Sequence, residues 1–414
     1  MRALIGFTSV AVFFAAAMPL HAAAITRTVW PGDTDPNIDP VDLPNADGVA
    51  LPKHFVAVDP AADPVDRLFL WLPGSGGAPT QYQALTSTAA RLGYDAMGLV
   101  YDSWPPVYVF TTNSPDPELP EALRRERIFG EDLVPDPVSV DPDNSIVNRV
   151  EKLLEHQAAA YPDERWGNYL LSEGGVDWSR VVVAGHSQGA GHTAYLSKEF
   201  LLSGAVMIAG PGDFVQDFGV APWLLEPGAT PAERLFALTH VQDPTAAGFF
   251  ANQRLLGLDD FGALQNVDGL AAGQITSHML TSTLDPGNTN YHSTVAVDDV
   301  LPLGSNGEPL YLPAWTSMFR RAAIGEPLAG DYDRNGLVDG ADYTVWRDAF
   351  GATGPNYAGD GNGDGVVDTL DYEVWAAAFA NAALPDSQGI PEPTAMLCIV
   401  AASTTLIATR RKGR

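Results

Sequence analysis

The stretch RVVVAGHSQGAGHTAYL places Ser187 between Gly185 and Gly189, where an apolar run gives way to a helix-patterned segment. A serine hydroxyl is a weak nucleophile near neutral pH. It attacks a carbonyl when an imidazole takes its proton and a carboxylate orients that imidazole. A G-x-S-x-G sequence on a sharp strand-to-helix turn lifts the hydroxyl clear of a sheet, and its glycines let neighbouring backbone approach closely. Downstream, RLFALTHVQDP carries Asp243 in the loop after an apolar run, and DPGNTNYHSTVAVDD carries His292 on a polar loop. The order Ser187, Asp243, His292 suits this geometry. Asp213, after AVMIAG, rivals Asp243 as the acid, and His278 rivals His292 as the base. His240 reads as a pocket or structural residue, and His186 and His192 sit too close to the nucleophile to swing onto its hydroxyl.

Acyl transfer also requires donors for the negative charge that develops on the carbonyl oxygen. Gln188 would open the helix, so its backbone N–H lacks an intrahelical partner and faces the developing oxyanion. The Gly-rich loop Pro73-Gly74-Ser75-Gly76-Gly77 is the expected source of a second donor, from Ser75 or Gly76.

These residues need a scaffold that alternates strands and helices. LFLWL at 68–72, AMGLVY, RVVVAG, AVMIAG and RLFALTH are short apolar runs of the kind buried in parallel sheets. Between them, QYQALTSTAARLG, SIVNRVEKLLEHQAAAY and AGHTAYLSKEF carry helical spacing, the second with Asp143 or Asn144 as its cap. The alternation predicts an α/β fold, a mostly parallel sheet flanked by helices. Residues 25–65 read as an irregular arm or edge-strand region, 103–142 as a Pro-rich insertion, and 214–231 as a cap or packed insertion.

The stretch WSRVVVAGHSQGAGHTAYLS resembles the secreted bacterial esterase-like or lipase-like members of the α/β-hydrolase superfamily. The resemblance runs from about Asp66 to Ala323, within a catalytic domain placed at 66–327. It implies cleavage of a carboxylic ester through an acyl-enzyme on Ser187, without a cofactor for catalysis. Pro73-Gly74 stands where relatives commonly open their oxyanion loop with His-Gly.

A second chemistry follows at 328–384. Asp331, Asp333, Asn335, Asp339 and Asp342 recur in kind as Asp360, Asn362, Asp364, Asp368 and Asp371, with Gly336 and Gly365 at the bends. Hard oxygen donors at this spacing, completed by the carbonyls of Leu337 and Val366, suit two calcium ions. Each loop runs into a helix bearing Tyr343, Trp346 and Phe350, or Tyr372, Trp375 and Phe379, expected as the core between the helices. The pair resembles a type I dockerin, an EF-hand-like all-α module, which implies a cohesin-like partner. Gly340-Ala341 and Thr369-Leu370 replace the Ser-Thr pair frequent in such modules.

The ends are targeting segments by pattern. Residues 1–24 have the basic, apolar and small-residue layout of a signal peptide. Residues 385–414 carry Pro-Glu-Pro, a short apolar run and a basic cluster, and resemble a PEP-CTERM sorting signal, implying export, processing machinery and a transient membrane anchor. The 414 residues carry a net charge of -28, which argues against nucleic acid as a partner. The single Cys398 leaves the mature fold without disulfides. A competing expectation is an inactive hydrolase-fold scaffold whose calcium module is the working part.

Overall fold

The computed structural model describes residues 24–44, 52–133, 138–215, 219–287, 289–324, 330, 332, 338, 340–354, 357–362 and 364–382. The expected signal peptide and sorting tail lie outside these residues, as do Asp331, Asp333, Asn335, Leu337 and Asp339 of the first loop. The chain divides into two compact units, Met1–Glu326 and Pro327–Arg414.

The strands of the first unit are β1 (Ile25–Val29), β2 (His54–Val58), β3 (Leu68–Leu72), β4 (Asp95–Gly98), β5 (Val181–His186), β6 (Gly204–Ile208), β7 (Leu235–His240), β8 (Gln265–Asn266) and β9 (Met279–Ser282). They form one nine-stranded sheet in the order β1-β2-β4-β3-β5-β6-β7-β9-β8. β2 runs antiparallel to β1 and β4, and the remaining pairs are parallel. The helices are α1 (Pro31–Thr34), α2 (Gln83–Arg91), α3 (Val107–Thr111), α4 (Leu119–Phe129), α5 (Ile146–Ala160), α6 (Gln188–Glu199), α7 (Ala246–Leu255) and α8 (Leu312–Ile324).

The continuous apolar runs have a simple cause, because each sheet face is covered. Leu68, Leu70 and Leu72 enter the core beneath α5 and α6, while Phe69 and Trp71 enter the opposite core beneath α2 and α8. Val183 and Val182 divide in the same way one strand over. Period-two alternation is therefore invisible as hydropathy, since both faces are apolar.

The region 25–65, read as an arm or edge-strand region, supplies two strands to the sheet with β1 at its edge. Two expectations are corrected. The AMGLVY strand pairs only through Gly98. Helix α5 is capped by Ser145, whose hydroxyl accepts from the Asn148 N–H at 3.2 Å, rather than by Asp143 or Asn144.

In the second unit, α9 (Gly340–Ala349) and α10 (Thr369–Ala382) follow the two loops. Their rings touch one another, Trp346 with Tyr372 and Tyr343 with Trp375, yet they do not form the expected core. Phe350 is 54% exposed and Tyr372 39%, and among the described residues of this unit the buried side chains are Tyr332, Val367, Asp342 and Asp371. Tyr332 and Val367 come from the loops, and Asp342 and Asp371 from the first turns of α9 and α10. Asp371 accepts from the N–H groups of Gly361, Asn362 and Asp368 at 2.7–3.1 Å, and Asp360 accepts from Gly365.

Candidate active site

Ser187 joins β5 to α6 with φ 56° and ψ -115°, a left-handed conformation rare outside glycine. Its N–H donates to the Ile208 carbonyl at 2.9 Å and its carbonyl accepts from Gly191, so the sheet and the helix together hold the strained turn. The motif glycines are explained by proximity. A Cβ on Gly185 would strike the Gly189 backbone, and one on Gly189 would strike the Leu72 carbonyl.

The sheet brings Ser187, Asp243 and His292 together. The Ser187 hydroxyl lies 2.8 Å from His292 Nε2, and His292 Nδ1 lies 2.6 Å from Asp243 Oδ2. The other Asp243 oxygen accepts from the N–H and hydroxyl of Thr245 at 2.8 and 2.6 Å. Burial pushes the Asp243 carboxyl up, but bonds from His292 and Thr245 outweigh it and hold the group below the usual carboxylate range. An ionised Asp243 then fixes the imidazole as the Nδ1–H tautomer, leaving Nε2 to accept a proton from serine.

The rivals have other partners. Both Asp213 oxygens are taken by Arg124 at 2.5 Å, and the Trp223 indole N–H adds a third bond. His278 is buried between Phe236 and Phe261, bonded to the Leu235 carbonyl. His240 stacks on Tyr291 and donates from Nε2 to the Leu284 carbonyl, tying down the approaches to both triad loops. His192 is buried beside Arg124.

His186 holds a chain of bonds that sequence reasoning missed. Its Nε2–H donates to the His292 carbonyl at 3.0 Å, so its Nδ1 accepts from the Tyr82 hydroxyl at 3.1 Å. Tyr82 in turn accepts from the Gly74 N–H at 3.2 Å. The oxyanion loop and the catalytic-histidine loop are thus positioned through one buried path. Tyr82 carries no sequence signal, because it is one tyrosine among several in helix-patterned segments.

At the expected oxyanion position, the Gln188 N–H opens α6 with no partner among the described residues. The Gly76 N–H, one of the two donors expected from this loop, is committed to the Ser103 hydroxyl at 2.9 Å. The Gln188 side chain reinforces the arrangement. Its amide oxygen accepts from the Val107 N–H at 2.8 Å and the Ser75 hydroxyl at 3.3 Å, and its amide nitrogen donates to the Ser103 carbonyl.

A cavity of about 420 Å³ opens on Ser187 and His292, within the range of small-molecule sites. The 214–231 segment contributes Phe214, but Val107, Tyr108, Thr111, Thr112 and Arg124 all come from the 103–142 insertion. That insertion shapes more of the pocket than the expected cap. Gln216, Asp217 and Phe218 of the cap lie outside the described residues.

The strand order and the ordered serine, aspartate and histidine at the sheet's carboxyl edge are those of the α/β-hydrolase fold. No family model matches the chain, and no curated protein matches it. Similar solved structures include a bacterial heroin esterase, at 13% identity and TM-score 0.35, covering 75% of this chain and 86% of that one. Another is esterase B from Lactobacillus rhamnosis inhibited by a tributyrin phosphonate, at 10% identity and TM-score 0.37, covering 74% and 89%. An esterase of the bacterial hormone-sensitive lipase family has 16% identity and TM-score 0.35, covering 75% and 87%. At these scores the fold class rests on the strand order and connections described above.

Proposed function

We propose that this protein is a serine hydrolase that cleaves carboxylic esters through an acyl-enzyme on Ser187. The observation that carries the reading is the unbroken chain from Ser187 Oγ through His292 to Asp243, at 2.8 and 2.6 Å. His292 takes the serine proton as Oγ attacks the ester carbonyl, and the resulting oxyanion is held by the Gln188 amide with a second donor from Ser75. The imidazolium then protonates the leaving alcohol. Water, activated by the same imidazole, releases the acid. Treatment with a fluorophosphonate probe should label the folded wild type on Ser187 and leave S187A unlabelled. A folded wild type that resists the probe would end this reading.

For the second unit, the proposal is a calcium-stabilised module of dockerin type that meets a cohesin-like partner. No group of three or more His, Cys, Asp or Glu side chains that could hold a metal occurs among the described residues. What supports the reading is the duplicated all-oxygen donor set and the buried Asp371, whose carboxylate already closes its loop. The half-exposed rings of α9 and α10 suit contact with a partner surface. Adding calcium to chelator-treated full-length protein should alter tryptophan fluorescence through Trp346 and Trp375, with micromolar or tighter binding by calorimetry. D371N should abolish the response of the second loop. An unchanged calorimetric trace in the wild type would rule calcium out.

Export through the leader and sorting through the tail remain part of the proposal on sequence pattern. No described helix is long and apolar enough to cross a membrane.

A further inference from the structure

Two clefts meet at the nucleophile. The first is the 420 Å³ cavity, and the second, of about 500 Å³, shares Ser75, Tyr108, Ser187 and His292 with it. An ester carbonyl placed at Ser187 therefore has its two substituents in different chemical surroundings. The first cleft presents carbon from Val107, Phe214, Pro244 and Phe249, and the charges of Arg124 and Asp213 in its wall are mutually satisfied at 2.5 Å. It suits an apolar group.

The second cleft differs. Ser293 and Asp299 present a hydroxyl and a carboxylate, Trp104 lines this cleft alone, and Tyr108 borders both clefts. Trp104 is 41% exposed and Tyr108 62%, large ring faces left in water beside hydrogen-bonding groups. A sugar ring has the complementary form: apolar C–H faces that lie on aromatic rings, and an edge of hydroxyls that both donate and accept. A plain alkyl alcohol would strip water from Asp299 and Ser293 without replacing it. An anionic alcohol would meet Asp299 and a chain of net charge -28.

The direction of binding follows from the proton path. The leaving oxygen must receive its proton from His292 Nε2, and the second cleft is walled by the groups flanking that histidine, Asn290, Ser293 and His186. The acyl chain then falls beside Gln188, which lines only the first cleft.

Building on the serine-hydrolase reading, we infer that the substrate is an ester between an apolar acyl group and a neutral, polyhydroxylated alcohol, with the sugar-like portion stacked on Trp104 and Tyr108. The test compares butanoate esters of methyl glucoside, butanol and choline, the last because an acidic aromatic site also attracts quaternary cations. The glucoside ester should exceed the butanol ester in kcat/KM by about tenfold or more. W104A should reduce that ratio by about tenfold, chiefly through KM, and D299N should reduce it in the same direction. The inference is overturned if the butanol or choline ester is cleaved as efficiently as the glucoside ester. It is equally overturned if W104A and D299N lower all three by one common factor, or if a probe-labelled wild type cleaves none of them. Absence of probe labelling in folded wild type would instead remove the hydrolase reading beneath it.

Discussion

Replacing Asp243 by Asn should lower kcat on a nitrophenyl ester by about 10⁴-fold, with KM changed far less. The substitution keeps the shape of the side chain but neutralises the acceptor 2.6 Å from His292 Nδ1. If the amide turns its nitrogen toward the ring, Nδ1 must accept, and the ring proton moves to Nε2. Nε2–H then faces the Ser187 hydroxyl and cannot take its proton. Because the three groups act as a unit, S187A/D243N should be no slower than S187A alone. Equal activity in D243N and wild type would remove Asp243 from the triad. Asp213 offers no substitute, since both of its oxygens are held by Arg124.

A steep loss of stability should follow acidification from pH 7 to about 4.5. His54, His186 and His192 are each buried to 3% exposure or less. Burial drives His54 and His186 down to about 3, with Arg149 and His156 adding to the effect at His54 and His292 at His186. Burial, helped by Arg124 and Arg127, also drives His192 well below its usual value. Hydrogen bonds agree with neutral rings, because Nδ1 of His54 accepts from the Val100 N–H and Nδ1 of His192 from Arg124.

An unfolded histidine gains its proton near pH 6.5. Between that value and about 3 the unfolded chain binds more protons than the native one. Stability from these groups is therefore complete above pH 6.5 and is lost as pH falls. At pH 4.5, two units below 6.5, His54 and His186 each account for roughly 2.7 kcal/mol of loss. Their sum of about 5 kcal/mol rivals the whole stability of a typical domain. Asp298 acts in the opposite sense: burial holds it up to about 6 despite bonds from the Gln83 and Ala84 N–H groups. As a partly solvated group it offsets less than one histidine. Denaturant midpoints at pH 7 and 4.5 test the sum, and H54N, whose amide oxygen can accept from Val100 but cannot protonate, should flatten the slope. Stability that stays level across this range would contradict the account.

Much of the first unit was legible because its strands and helices are local patterns. LFLWL and RVVVAG are continuous apolar runs since each sheet face has its own core, and the Gly-x-Ser-x-Gly turn carries its steric reason in its own residues. For β1 the reading stayed open between arm and edge strand, because an edge strand half in water lacks such a run: ITRTV alternates weakly and is mostly exposed. The aromatic rings of α9 and α10 misled in the other direction, because periodicity marks a helix face without saying what covers it.

The chain order of Ser187, Asp243 and His292 was set by the sequence alone, as were the alternating strands and helices and the duplicated acidic loops. Only the tertiary structure shows that Asp243 rather than Asp213 bonds His292, and that the Gly76 N–H is bonded to Ser103. It also decided that Arg124, Tyr82 and Trp104 belong beside the nucleophile. The reason is distance along the chain: a hydroxyl, an imidazole and a carboxylate separated by scores of residues become neighbours only when parallel strands end at one edge. Which rival carboxylate is left to orient the imidazole then depends on which has already been claimed by a buried guanidinium.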